Sequence, residues 1–407
     1  MINEIDKELD KIFESFNNNI IFNDKSILQN SYEPEEIPHR DKQIKQIASI
    51  LAPILRGEKP SNLFLYGKTG TGKTLTIKYV KNELLKRVNK EADFKLRIEY
   101  LNCKLKKVSD TEYRILAELI KQFGGEVPAT GLPTQSVYDK FIEVVDSEKQ
   151  LIILILDEID QTTKKLSDTF LYNLMRLNPE LSRSQLSIVG ISNNLTFLDE
   201  IDPRVKSSLS EEEIVFPPYN ALQLQEILTR RAKDVFKEGV MEDGVIAKCA
   251  ALAAREHGDA RRALDLLRIA GELAERDNSG KIGIKHIDEA NEKLERDKIL
   301  DIIKSEPKQF QLVLDSIIQL GEKQPQEHLF TGEVYNFYRD LCIKNKLEVL
   351  TQRRVSDIIQ EFDMLGIITV NVISKGRGGR MREIKLAITK DIIGKAKEII
   401  INSLSYS

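Results

Sequence analysis

"NLFLYGKTGTGKTLTIKYVKNEL", residues 62–84, decides how the rest of the chain is read. A short apolar run gives way to a glycine-rich turn, which opens into an amphipathic helical pattern. Within it, Gly67 to Thr74 spell GxxxxGK[ST]. Gly67, Gly70 and Gly72 permit a loop whose backbone N–H groups turn inward on phosphate oxygens, and the dipole of the following helix adds to that attraction. Lys68, Thr69 and Thr71 belong to the same cradle. Lys73 has the reach for the β- and γ-phosphates of a nucleotide, and the Thr74 hydroxyl is placed to ligate Mg²⁺.

A motif of this length needs a second signal, and "LIILILDEID" (151–160) supplies it. A fully buried strand ends in Asp157 and Glu158, where open parallel sheets place their ligands. Two acids can also merely cap a strand and start a helix. With the phosphate loop upstream, Asp157 is expected in the Mg²⁺ shell and Glu158 as the group that polarises an attacking water. A third run, "SIVGISNN", ends in polar residues. Asn193 there suits a hydrogen bond to the γ-phosphate or to the water, and equally suits a turn.

Working outward, the 407 residues predict two or three domains. Residues 1–36 are polar and read as an N-terminal arm. From 37 to 217, helical patterns alternate with the apolar runs NLFLYG, RIEYLNC, LIILILDE, LSIVGISNN and EEEIVFPP, which predicts an α/β parallel sheet covered on both faces. The stretch between the second and third runs exceeds one crossover helix, so a helical insertion is expected at about 104–135; Lys104, Lys106 and Lys107 stand at its start. Residues 218–298 carry only helical spacing and form a small helical domain, and 299–407 make a third unit. Cys103, Cys249 and Cys342 stand far apart and form no zinc or disulfide pattern. The charged N-terminus lacks a signal-peptide core, and the longest apolar run, 151–156, is too short to span a bilayer. A soluble, cytoplasmic protein is expected.

In combination, GKTGTGKT, LDEID, GISNN, DPRVKSSL, FPPYNALQLQEILTRRA and GDARRALDLL resemble the AAA+ ATPases. More closely, they resemble the archaeal replication initiators related to origin-recognition subunit one and the cell-division-cycle-six loader. The resemblance implies an ATP/ADP- and Mg²⁺-dependent weak ATPase acting as a switch, with a helical lid after the sheet. It also implies nucleotide contacts from Pro38, His39 and Arg40, and from Tyr219 and Arg231 at the lid junction. Arg204 is implied to be an arginine finger offered to a neighbouring subunit, a task suited to a rigid guanidinium fork. Arg261 and Arg262 are adjacent and face different ways, so only one can sense the γ-phosphate; the resemblance selects Arg261. The partners implied are duplex origin DNA, the MCM replicative helicase and other initiator subunits. Two rivals fit less well. A signalling ATPase with a connector module would carry a sensor domain, and a ring-forming clamp loader or unfoldase would show a zinc cysteine set or an aromatic pore loop.

The last unit bears on DNA. "FQLVLDSIIQL" and "TGEVYNFYRDLCIK" read as helices. In "TQRRVSDIIQEFDMLGII", Thr351 is expected as the N-cap by residue type, with Val355, Ile358, Ile359, Phe362 and Leu365 as the core stripe. Arg353 and Arg354 lie in the first turn, off that stripe. "IITVNVIS" and "REIKLAI" alternate as a hairpin, with KGRGGR as its tip. Three helices and a basic hairpin predict a winged helix whose third helix enters the major groove. Residues 374–385 hold five Lys/Arg against one Glu, a net of +4 in a chain of −3. Lys375, Arg377, Arg380 and Arg382 are therefore expected on DNA, with the tip glycines allowing close backbone approach. A winged helix can instead serve protein contacts alone; the arginine pair together with the basic wing argues for DNA.

Overall fold

Apolar runs of four to eight residues become five strands in the computed structural model, which describes residues 13, 21–29, 31–88, 93–104, 111–128, 131–166, 168–323, 329–374 and 380–405. They are β1 (Leu63–Tyr66), β2 (Lys95–Asn102), β3 (Gln150–Asp157), β4 (Gln185–Ser192) and β5 (Glu212–Val215). Their order is β2-β3-β4-β1-β5, and every neighbouring pair is parallel. Side chains alternate across a strand, so a run that is apolar throughout feeds two cores. On β3 the residues Ile152, Leu154 and Leu156 pack with Ile115, Leu119, Val137 and Phe141. Leu151, Ile153 and Ile155 face the other way, toward Ile47, Ile77 and Val80. That double burial explains why β3 shows no polar alternation; all eight of its residues are buried.

Two helices, Glu112–Gln122 and Thr134–Val145, occupy the long connection between β2 and β3. The first is capped by Thr111, whose hydroxyl accepts from the Arg114 N–H at 3.3 Å. Lys106 and Lys107 lie outside the described residues.

After β5 the chain turns helical, with Ala221–Val235, Val245–Arg255 and Ala260–Arg276. Asn220 and Gln223 form a reciprocal capping box on the first of these. The N-terminal arm is anchored here. Ile21, Phe22 and Leu28 are buried, and the Asn23 N–H donates to the Val235 carbonyl at 2.7 Å. Gly271 is required beneath it, because a Cβ there would stand 2.5 Å from the Phe22 ring.

The chain divides into two units, Met1–Ile287 and Asp288–Ser407, and the division falls inside the helix Ile284–Ser305. In the second unit, helices Lys308–Lys323, Thr331–Lys344 and Gln352–Met364 pack with a sheet of order β6-β8-β7. These strands are β6 (Leu329–Phe330), β7 (Ile368–Ser374) and β8 (Arg380–Leu386), and both pairings are antiparallel. Phe310 and Phe362 meet edge to face at 4.4 Å in a core shared with Ile358, Ile359, Ile368 and Ile384. The fold adds two elements to the winged helix expected from sequence. One is the short strand β6. The other is a final helix, Lys390–Ser405, which places Ile392, Ala396 and Ile400 in the same core.

Candidate functional site

Parallel strands end on one edge of a sheet, so Gly67, Asp157 and Asn193 come together from β1, β3 and β4. The helix Lys73–Arg87 starts directly behind Gly72, whose φ of +86° is left-handed. Lys73 Nζ donates to the Gly67 and Lys68 carbonyls and to Asn193 Oδ1, each at 2.8 Å. Burial pushes the Lys73 ammonium down to about 8; Asp157 partly opposes this, and Arg261 adds to it. Thr74 Oγ1 donates to Asp157 Oδ2 at 2.7 Å, and Asp157 Oδ1 accepts the Glu158 N–H at 2.9 Å. Glu158 sits at φ +55°, a left-handed conformation rare outside glycine and characteristic of functional sites. Lys104 Nζ lies 3.6 Å from its carboxylate.

These groups border a cavity of about 610 Å³. Gly70 to Leu75, Asp157, Glu158 and Asn193 form its floor, and Arg231, Ala260, Arg261 and Leu264 approach from the lid. Gln29 and residues 31–36 of the arm also line it, followed by Ile37 and Pro38; among them is Tyr32, whose ring lies 4.4 Å from the Arg231 guanidinium. Pro38 and Tyr219 face the same space. Arg261 lines it as well, whereas Arg262 Nη2 donates to Glu256 at 3.0 Å.

The lid touches the phosphate loop itself. The Ala260 N–H donates to the Gly70 carbonyl at 3.2 Å. Asp259 Oδ1 caps the same helix by accepting from the Arg261 N–H at 2.8 Å.

Arg40 and His39 lie elsewhere. Arg40, 2% exposed, sits behind the loop. Its Nε donates to the Thr71 carbonyl at 2.8 Å and its Nη2 to the Pro217 carbonyl at 2.7 Å, while the guanidinium stacks 3.8 Å from the Tyr219 ring. His39 Nε2 is 3.0 Å from a Glu226 carboxylate oxygen. Arg204 is exposed and folded back on Asp202, with Nη2 donating to Oδ2 at 2.8 Å and the guanidinium 4.9 Å from the Tyr172 ring. That pairing, with the Arg204 N–H added, pulls the Asp202 carboxyl down to about 2.

Sequence reading missed Tyr32 and Tyr100, which reach the site through tertiary packing rather than through a local motif, and it gave no role to Asp259, which stands inside the motif GDARRALDLL.

In the second unit Thr351 caps the helix Gln352–Met364, and Arg353 and Arg354 are exposed in its first turn. Arg354 Nη1 donates to Glu361 at 3.3 Å. Arg382 turns inward from β8, its Nη1 donating to Ser356 Oγ at 2.9 Å, so it ties the wing strand to that helix. Lys375 and Arg377 lie outside the described residues, and only the backbone of Arg380 is described.

Residues 56–196 match the AAA domain family, 225–292 the Cdc6 AAA+ ATPase-type lid domain, and 301–396 the CDC6 C-terminal winged helix domain. An ORC1-type DNA replication protein of Thermococcus onnurineus is 52% identical over 389 residues, covering 94% of this chain and 92% of that protein. The ORC1-type DNA replication protein 1 of Sulfurisphaera tokodaii is 47% identical over 390 residues, covering 96% of each. Among solved structures, the Aeropyrum pernix ORC1 protein in complex with DNA matches with a TM-score of 0.80 at 40% identity, over 95% of this chain and 98% of that one. Lid, sheet and winged helix thus agree with relatives matched over nearly their full length, and this chain belongs to the family of ORC1-type DNA replication proteins, the AAA+ initiators of replication.

Proposed function

We propose that this initiator binds Mg²⁺–ATP between sheet and lid, binds duplex origin DNA through its winged helix, and recruits the MCM helicase in an ATP-bound state that hydrolysis ends slowly. One observation carries the nucleotide half: at the mouth of the phosphate loop the consecutive residues Lys73 and Thr74 are hydrogen-bonded to the two strand-end groups, Lys73 to Asn193 and Thr74 to Asp157. Thr74 and Asp157 would hold Mg²⁺, which supplies positive charge to phosphate oxygens during transfer. A hydroxyl and a carboxylate oxygen 2.7 Å apart are hard donors of the right kind. No cluster of three or more acidic, His or Cys ligands exists among the described residues, which suits a cation completed by phosphates and water.

Lys73 and the loop amides of residues 67–74 neutralise phosphate charge, and Asn193 orients either the terminal phosphate or the water. Glu158 polarises that water, Arg261 reports the phosphate to the lid, and Arg204 serves a neighbouring subunit's nucleotide. Pro38, Tyr219 and Arg231 wall the base and sugar. Arg40 and His39 support that wall from behind, through the Thr71 carbonyl and Glu226 respectively. On DNA, Arg353 and Arg354 read the major groove, while Lys375, Arg377 and Arg380 grip the backbone or minor groove, with Arg382 bracing the wing.

Footprinting across genomic DNA with and without ATP tests this reading, using Lys73→Ala as the uncoupled control. Protection confined to discrete sites, and altered by ATP only in the wild type, is expected. Uniform protection insensitive to ATP would overturn it.

A further inference from the structure

We propose that Tyr100 is a positioning residue for the Mg²⁺ side of the nucleotide site, fixing the carboxylate of Asp157 from the neighbouring strand. The inference rests on the reading of Thr74 and Asp157 as the Mg²⁺-holding pair. Tyr100 lies on β2, where it is paired with Ile155, while Asn102 is paired with Asp157. Residues two apart share a face, so Tyr100 and Asp157 stand on the same side as a diagonal cross-strand pair, a span within a tyrosine's reach. The phenol completes the distance: Tyr100 OH donates to Asp157 Oδ2 at 2.7 Å.

That oxygen also accepts from Thr74 Oγ1 at 2.7 Å, while Oδ1 accepts the Glu158 N–H at 2.9 Å. Three donors therefore hold one carboxylate, and they come from the phosphate-loop motif, from the residue that follows β3 and from β2. The first two belong to the recognised machinery. The third does not, and it alone comes from the sheet's edge strand. Without it, Oδ2 keeps only a rotatable threonine hydroxyl, and that hydroxyl is itself a cation ligand. The tyrosine ring is held in turn: Lys78 Nζ sits 5.5 Å from its centroid and pairs with Glu33 at 2.7 Å. Groups one step removed from a cation orient its ligands, and their loss commonly costs ten- to a hundredfold in affinity.

The test is calorimetric titration of the full chain with ATP, once with MgCl₂ and once with EDTA, for wild type, Tyr100→Phe and Asp157→Asn. The readout is the ratio of the two affinities within each variant, which cancels any loss of folded protein. Tyr100→Phe keeps the ring and removes only the hydroxyl. Its ratio should fall about tenfold from the wild-type value, toward that of Asp157→Asn. A phenylalanine variant with the wild-type ratio overturns the role of Tyr100 and leaves the Mg²⁺ pair standing. A wild type and an Asp157→Asn variant that share one ratio overturn the pair itself, and the inference with it.

Discussion

Gly70→Ala tests whether the lid truly rests on the phosphate loop. Gly70 has φ +71°, and a Cβ there would stand 1.7 Å from Asp259 Oδ1 and 3.0 Å from the Asp259 Cα. Rotating the Asp259 side chain away relieves the first contact only by giving up its cap, and the second, to backbone, still requires a small shift of the lid. An L-residue in the left-handed region costs roughly 1–2 kcal/mol. Displacing Asp259 removes the cap of the helix Ala260–Arg276, worth about 1 kcal/mol. Restricting the unfolded chain by a Gly→Ala change returns about 0.4–1 kcal/mol to global stability, but that term does not oppose local opening. The seat of the lid should therefore weaken by roughly 2 kcal/mol, or about thirtyfold in its opening equilibrium. Amide exchange followed by mass spectrometry reads this directly. The N–H groups of Ala260, Arg261 and Arg262, which bond Gly70 and Asp259, should exchange about thirtyfold faster. Gly124→Ala is the control: its φ is +84°, and no atom lies within 4 Å of the added Cβ. It carries the strain without the clash. Equal exchange at 260–262 in wild type and Gly70→Ala, or an equal effect from Gly124→Ala, would refute the reasoning.

Glu158→Gln should retain ATP binding while turnover falls by at least a hundredfold, since it removes the carboxylate and keeps the shape; undiminished phosphate release would reject the assignment. Arg204→Ala should lower ATPase activity of assembled protein and leave the ATP affinity of the dilute monomer unchanged. A loss of affinity in the monomer would show that Arg204 serves its own subunit. Replacing Arg353 and Arg354 by Ala should reduce the preference for origin over random duplex, with each lost bidentate guanine contact removing about 1–3 kcal/mol of discrimination; fluorescence anisotropy on both DNAs over a salt series measures it, and an unchanged ratio would refute base reading.

The nucleotide floor was legible because its groups are contiguous or terminate strands. GKTGTGKT carries its own geometry, and Asp157 and Asn193 follow apolar runs that a parallel sheet must end at one edge. The third helix of the second unit was equally open to reading. Thr351, the arginines and four residues of the apolar stripe, Val355, Ile358, Ile359 and Phe362, fall where helical periodicity puts them; Leu365, expected on the same stripe, is instead the exposed C-cap, because the helix ends at Met364.

The rest depends on which strand lies beside which, and periodicity does not carry that information. Tyr100 reads as one residue of an ordinary strand until β2 is paired with β3. Arg40 likewise depends on contacts between elements. The family resemblance implies a nucleotide contact there, and in the fold its guanidinium binds the Thr71 and Pro217 carbonyls and stacks on the Tyr219 face. A buried arginine without a carboxylate is costly unless every N–H finds an acceptor, so the loop carbonyls it holds cannot move independently of the lid junction. The final helix escaped for a different reason. Its β-branched run Ile399 to Ile401 suits a strand as well as a helix, and only burial of Ile392, Ala396 and Ile400 on one face decides for the helix. Local chemistry thus declared the groups proposed to meet phosphate. The groups that hold those in place, Arg40 behind the loop and Tyr100 beside Asp157, are defined by contacts between elements, and substitutions there should alter affinity without touching the motif.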